Sequence, residues 1–168
     1  MGQRLVVANQ TLGGAELDRT ISDRIGQGHD DFYVLVPTTA PKHEAADSLQ
    51  GFPLDGLTLS QIDEMRRLME ERDRQYEEAL TEAQRRAEQR LVLMLDRIRS
   101  LGGTADGEVG DEDPAAAVEQ VLDGRDFDEI IISTLPATSS RWLKMDLPSK
   151  VGRMTDLPVT TIEAHAEG

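Results

Sequence analysis

Several residue types and patterns are missing from this chain, and each absence removes a class of function. The 168 residues include no cysteine, which excludes disulfides, thiolate metal ligands and a cysteine nucleophile. Only three histidines occur, scattered along the chain, so a dedicated transition-metal site is not expected. No apolar run approaches the roughly 20 residues that cross a bilayer, and the first residues lead into a strand pattern rather than a signal sequence. We therefore expect a cytoplasmic protein without a membrane segment.

The charge of the chain is strongly negative and unevenly distributed. Its formal net charge of -14 argues against binding to nucleic acid or to anionic membranes. Ten acidic residues and one basic residue lie between Gly102 and Glu129, whereas four cations and one acid lie between Arg141 and Arg153. The second segment predicts a locally positive surface, beside an acidic neighbour if the two segments meet in the fold.

Short apolar runs that are rich in β-branched residues predict the strands. These runs are Leu5–Ala8, Phe32–Val36 and Ile130–Ile132, with further candidates at Thr104–Val109 and Pro158–Ile162. Continuous apolarity, rather than alternation, is typical of strands that are covered on both faces. The segment Thr104–Val109 is polar enough to predict an edge strand.

Helical patterns separate these strands. Leu17, Ile21 and Ile25 recur every four residues and predict a helix that ends near Gly26. Asp113 followed by proline predicts another helix start, because aspartate caps free amides and proline suits the first turn. Strands that alternate with helices predict an α/β fold, namely a five-stranded parallel open sheet, Rossmann-like and sandwiched by helices.

The segment Leu59–Leu101 contains neither glycine nor proline and predicts an unusually long, charged helix. As one helix it would extend on the order of 60 Å. Its second half, Leu91–Leu101, is densely apolar and is expected to pack on the sheet, whereas its first half carries only a thin apolar stripe. Three interpretations fit that stripe: an isolated helix with surface ion pairs, a helix paired with a second subunit, and a hairpin that turns near Gln75.

The order of elements and several local patterns resemble the universal stress proteins. Leu101–Pro114 looks like their edge strand and the Gly-Asp-Pro type of turn that follows it, and Phe127–Ser133 is similar to their central strand. Leu157–Ile162 resembles their closing Pro-Val strand, and the run from Ser133 to Val151 resembles an actinobacterial subgroup. The resemblance spans the whole chain, as a single domain, except for residues 42–75, which look like an insertion or elongation. It implies an adenine nucleotide alpha hydrolase-like fold and a homodimer formed through the last strand.

The resemblance also implies a nucleotide site that this chain retains only in part. Nucleotide-binding members of the family have a glycine-rich stretch after the central strand, where bare backbone amides approach the phosphates closely. The corresponding run here, Ser133–Val151, contains no glycine, and proline or aspartate stands near the expected glycine positions. The family's acidic residue after the first strand is replaced by Asn9, whose amide still suits a ribose or a base. We therefore expect a degenerate loop without the usual ATP site.

Polar residues at the ends of the predicted strands are the candidate ligand-binding residues. Ligands bind open α/β sheets beyond the carboxyl ends of the strands. The candidates are Asn9, Gln10, Thr11, Thr38, Ser133, Thr134, Arg141 and Lys150. The hydroxyls and amides fit either a polar ligand site or satisfied loop ends. The two cations either hold an anion or neutralise the acidic surface.

No serine nucleophile elbow, Walker-type loop or pair of carboxylates is identifiable, so the sequence does not support catalysis. We predict a non-enzymatic, stress-protein-like binding or interaction module that is a homodimer and needs no cofactor. The dimer is expected to form through the last strand, the long helix, or both, and the charged helix is the candidate surface for a further protein partner. The alternative is a sensor that still binds ATP, AMP or another anion in the strand-end crevice.

Overall fold

The computed structural model describes residues 2–8, 14–38, 56–111, 113–134 and 146–163, and every structural statement below concerns these ranges. Five strands and four helices lie within them. In chain order the elements are β1 (Gln3–Val7), α1 (Ala15–Gly26), β2 (Asp31–Pro37), α2 (Leu59–Ser100), β3 (Thr104–Gly110), α3 (Pro114–Gly124), β4 (Phe127–Thr134), α4 (Leu147–Met154) and β5 (Val159–Glu163).

The five strands form one parallel sheet in the order β3-β2-β1-β4-β5. The apolar runs of β1, β2 and β4 occupy its three central positions, which is why both of their faces are buried. β3 and β5 are the edges. The predicted α/β architecture is therefore confirmed, and so is the edge position of the polar third strand.

Alternate residues of the central strands enter two separate cores. On one face, Val6 and its neighbours pack against Leu17 of α1 and Met94 of α2. On the other face, Val7 and its neighbours pack against α3 and α4, with Leu147 fully buried. Helices therefore cover both faces of the sheet, as continuous apolar strands require.

The start of α3 follows a local sequence signal, whereas that of α1 does not. Asp113 caps α3, since its carboxylate accepts hydrogen bonds from the amides of Ala115 at 3.0 Å and Ala116 at 3.5 Å. Gly14 precedes α1 in an extended conformation and supplies no side-chain cap. The eight-residue helix α4 was not predicted. Pro148 lies in its first turn, where a helix tolerates proline because no intrahelical donor is needed there.

The chain divides into two compact units, of which one comprises residues 1–39 and 86–168 and the other comprises residues 40–85. The sheet and both cores belong to the first unit. The second unit contains the first 27 residues of α2, so that this helix contributes to both. The interpretation of residues 42–75 as an insertion or elongation stays a prediction.

α2 is one continuous α-helix of 42 residues, so the interpretation of a hairpin near Gln75 is wrong. Strong intrinsic helix formers fill the segment, and no glycine or proline interrupts it.

In the second unit, Leu68 and Met69 are 54% and 44% exposed. Among the residues that the structure describes, no helix combines the length and apolarity needed to cross a bilayer.

Candidate functional site

The candidate site lies between β1 and β4, at the topological switch point where the strand order reverses. The chain builds β1, β2 and β3 toward one edge of the sheet and then returns to place β4 on the other side of β1. Val7 is paired with Ile132, so Ala8 and Ser133 follow at the same carboxyl-terminal level. Loops that leave two neighbouring strands in opposite directions open a crevice at such a point.

Two buried residues with hydroxyl side chains lie on the β4 side of this switch point. Ser133 and Thr134 are 1% and 2% exposed, and both already have interaction partners in the protein. Because successive strand residues point to opposite faces, Ser133 lies on the α1–α2 face and Thr134 on the α3–α4 face. The two hydroxyls therefore occupy both sides of the strand end rather than a single cluster.

Thr38 lies beyond β2, which is separated from β4 by β1. Its hydroxyl donates a hydrogen bond to the carbonyl oxygen of Gly110 at 2.9 Å, and its amide donates to the same oxygen at 3.2 Å. Both donors of Thr38 are thus directed toward the end of β3. One strand spacing is roughly 5 Å, so Thr38 lies about 10 Å from the β4 end in the plane of the sheet.

Lys150 is exposed on α4, in the layer that covers the Thr134 face of the sheet. α4 starts after Asp146, which adopts a left-handed conformation with φ of 57° and makes no side-chain cap. The backbone amide of Lys150 donates to the Asp146 carbonyl at 3.1 Å, which closes the first turn. The side chain is therefore held on a short helix that leads into β5.

Four of the eight candidate residues lie outside the described ranges. They are Asn9, Gln10, Thr11 and Arg141. Most of the glycine-free run from Ser133 to Val151 also lies outside them, so the loss of the phosphate loop stays a prediction. Of the remaining candidates, the structure places Ser133 and Thr134 at the switch point.

A buried ion cluster lies at the opposite, amino-terminal end of the sheet. Its centre is Glu129, at the start of β4. Arg24 of α1 donates two hydrogen bonds of 2.8 Å to this carboxylate, and Arg4 of β1 donates one of 3.0 Å. Thr160 of β5 donates a fourth at 2.8 Å. The cluster therefore connects α1 with three adjacent strands.

The electrostatics of this cluster are strongly coupled. The hydrogen bonds from Arg24, with those from Thr160 and Arg4, outweigh the cost of burial and lower the pKa of Glu129 from 4.5 to about 2. The same contact raises the pKa of Arg24. Two guanidinium groups share one carboxylate, and Nη1 of Arg4 is buried with no hydrogen-bond partner among the described residues.

Sequence reasoning missed this cluster. One signal was present, because Arg4 and Glu129 each immediately precede an apolar run and are paired across the sheet. That register is visible only after the strand order is known. The cluster lies at the amino-terminal end of the sheet, away from the switch point, and it links α1, β1, β4 and β5. Among the described side chains, no group of three or more His, Cys, Asp or Glu is placed to hold a metal ion.

Comparison with known proteins gives structural but not sequence matches. No protein-family model matches the chain, and none of the curated proteins is similar to it in sequence. The universal stress protein of Archaeoglobus fulgidus is 12% identical with a TM-score of 0.52, and the match covers 96% of this chain and 93% of that one.

Two further matches are structures with bound nucleotides. One is the Archaeoglobus fulgidus protein in complex with dAMP, which is 13% identical with a TM-score of 0.52 over 96% of this chain and 98% of that chain. The other is a universal stress protein family protein of Arabidopsis thaliana with AMP bound, which is 12% identical with a TM-score of 0.50 over 99% and 94%. The resemblance inferred from the local sequence patterns is thus supported at the level of structure: this chain has the fold of the universal stress proteins.

Proposed function

We propose that this protein is a non-catalytic binding module that holds an adenine nucleoside monophosphate in the crevice at the carboxyl ends of β1 and β4. The observation that carries the proposal is the switch point between β1 and β4, where Ser133 and Thr134 lie at the carboxyl end of β4. Proteins of the same fold have been solved with dAMP and with AMP. A cytoplasmic location is part of the same proposal.

A monophosphate is favoured over ATP because of the sequence beyond β4. The run from Ser133 to Val151 has no glycine, so every residue in it carries a side chain. These side chains hinder the close approach between backbone amides and phosphates that a triphosphate requires. One phosphate needs fewer donors. Because α1 follows β1, the backbone amides of its first turn point toward the carboxyl ends of the strands. Gly14, which precedes α1, supplies no side-chain cap to these amides.

Isothermal titration with AMP, dAMP, ATP and GMP tests this function. We expect AMP and dAMP to bind more tightly than ATP and GMP. Ser133→Ala is expected to weaken AMP binding about fivefold, as the loss of about 1 kcal/mol from one hydrogen bond implies. Thr38→Ala is the matched control, because it removes a buried strand-end hydroxyl that is bonded to Gly110 instead.

A second matched pair of variants tests whether the positive charge of Lys150 contributes to AMP binding. Lys150→Ala is expected to weaken AMP binding, whereas Arg153→Ala, on the same helix, is expected to leave it unchanged. Absence of AMP and dAMP binding at millimolar concentration contradicts the proposal. Conversion of either nucleotide during prolonged incubation contradicts its non-catalytic part.

We further propose that two copies associate through β5. The Ile130 amide donates to the Pro158 carbonyl at 3.0 Å, so even-numbered residues of β5 face β4 and the backbone groups of Val159, Thr161 and Glu163 face outward. No described residue bonds to these outward groups. Such an edge favours pairing with another strand. The mass of the native protein by mass spectrometry tests this: a dimer is expected, and a monomer contradicts it.

The long helix is retained as a proposed surface for a further protein partner. Its exposed apolar side chains in the second unit, Leu68 and Met69, support that proposal. A variant with both residues changed to glutamine is expected to keep the mass of the native protein if the dimer forms through β5 alone.

A further inference from the structure

The two edges of the sheet differ in how their backbone is protected. At β3, the amide of Thr104 donates to the Asp30 carbonyl at 2.7 Å, and the carbonyl of Gly110 accepts from Thr38. Even-numbered residues of β3 therefore face β2. Because backbone groups alternate in direction along a strand, those of Ala105, Gly107 and Val109 face outward.

The centre of β3 is Gly107, where packing against the neighbouring strand leaves no room for a side chain. A Cβ atom at Gly107 would overlap the carbonyl oxygen of Val34 and lie 2.7 Å from a methyl carbon of Leu91. Glycine is therefore required at this position, and it provides no side chain to cover its own backbone. An unpaired edge of this kind is a template for adding another strand.

Two charged side chains bond to the exposed groups. Arg99, in the last turn of α2, donates a 2.9 Å hydrogen bond from Nη2 to the carbonyl oxygen of Ala105. The carboxylate of Asp106 accepts a 2.8 Å hydrogen bond from the amide of Gly107. Nη1 of Arg99 also lies 3.7 Å from Asp96, which helps to keep the guanidinium over the edge.

β5 lacks equivalent protection among the described residues, as its outward groups have no partners there. A sheet whose two edges were both open could add β5 of one molecule to β3 of the next, in competition with the pairing of two β5 strands proposed above. That contact continues the parallel sheet, and because it joins two different surfaces it repeats from one molecule to the next instead of ending at a pair. Its product is an assembly larger than a dimer.

We propose that Arg99 and Asp106 close the β3 edge against strand addition, and that the strand they exclude is β5 of a second copy of this chain. Both residues act on backbone groups, one on a carbonyl oxygen and one on an amide, so together they satisfy an acceptor and a donor that a new strand would use. The sheet is then extendable only at β5, and association stops at a closed assembly.

The double variant Arg99→Ala and Asp106→Ala tests this proposal. Its weight-average mass by sedimentation is expected to rise with concentration to at least about twice that of the wild type. The matched control is Arg85→Ala with Glu119→Ala, which removes one cation and one acid from exposed positions elsewhere and is expected to keep the wild-type mass. Circular dichroism confirms that each variant is folded.

Two further variants separate edge closure from other causes. Asp106→Asn retains an oxygen that accepts from the Gly107 amide, so it is expected to keep the wild-type mass, which repulsion between charges alone would not predict. Adding Thr161→Pro to the double variant removes an outward donor of β5, and the mass is expected to fall to that of Thr161→Pro alone.

Either of two results overturns the proposal. One is a folded double variant with the mass of the wild type at every concentration, together with unchanged hydrogen exchange of the Gly107 amide. The other is an association that Thr161→Pro leaves unaltered, since the added strand would then not be β5.

Discussion

The substitution Glu129→Gln removes the carboxylate that Arg4 and Arg24 share while keeping the size of the side chain. The lowered pKa of Glu129, about 2 against a usual 4.5, corresponds to about 3 kcal/mol of stability at neutral pH. Removing one partner from a buried ion pair typically costs a similar amount, because the remaining charge is left uncompensated. Glu129 is 7% exposed, so water compensates little.

Urea unfolding at pH 7 measures this cost directly. We expect the variant to lose about 3 kcal/mol of unfolding free energy and to melt about 6 to 12 °C lower than the wild type. Glu119→Gln is the matched control, since it makes the same chemical change at an exposed position on α3 and is expected to have little effect.

The pH dependence gives a second, independent readout. A carboxyl group whose pKa is lower in the folded state stabilises the protein above the pKa of the unfolded state, near 4.5. That contribution is lost as the pH falls from about 4.5 to about 2. The wild type should therefore lose about 3 kcal/mol more than the Gln variant over this interval. A variant within about 0.5 kcal/mol of the wild type at pH 7, or parallel pH profiles of the two proteins, would refute the reasoning.

Two further substitutions test local features of the fold. Asp113→Ala removes the side-chain acceptor of two amides at the start of α3 and is expected to cost about 1 kcal/mol in urea unfolding; Asp113→Ser should recover most of this loss, and an unstable Ser variant would argue against capping. Gly107→Ala places a Cβ against the Val34 carbonyl oxygen and is expected to cost about 2 kcal/mol or more. Gly124→Ala, where a Cβ meets nothing within 4 Å, is its control, and equal effects at the two glycines would contradict the packing argument.

The sequence predicted the elements whose signals are local. The continuous apolar runs of the central strands indicated burial on both faces, and the polar composition of β3 indicated an edge. The acidic cap at Asp113 identified the start of α3 for the same reason, since the cap and the amides it accepts from are within three residues of each other. The absence of glycine and proline indicated a long helix but did not distinguish a straight helix from a hairpin.

The candidate site was predicted only in part. The strand-end rule led to Ser133 and Thr134, which the structure places at the switch point. The same rule led to Thr38, whose donors are directed at Gly110 on the far side of β2. A rule that locates strand ends does not tell in which direction each side chain bonds.

Sequence alone determined where the chain forms its five strands and the helices α1, α2 and α3, because apolar periodicity, capping and backbone freedom act over a few neighbouring residues; α4 carried no such signal. Tertiary structure alone decided which distant groups meet. Arg4 and Glu129 are 125 residues apart, and their contact depends on β4 pairing beside β1 in one register. The same holds for the crevice and for the difference between the two edges, because strand order is set by the burial of whole faces and not by any local pattern.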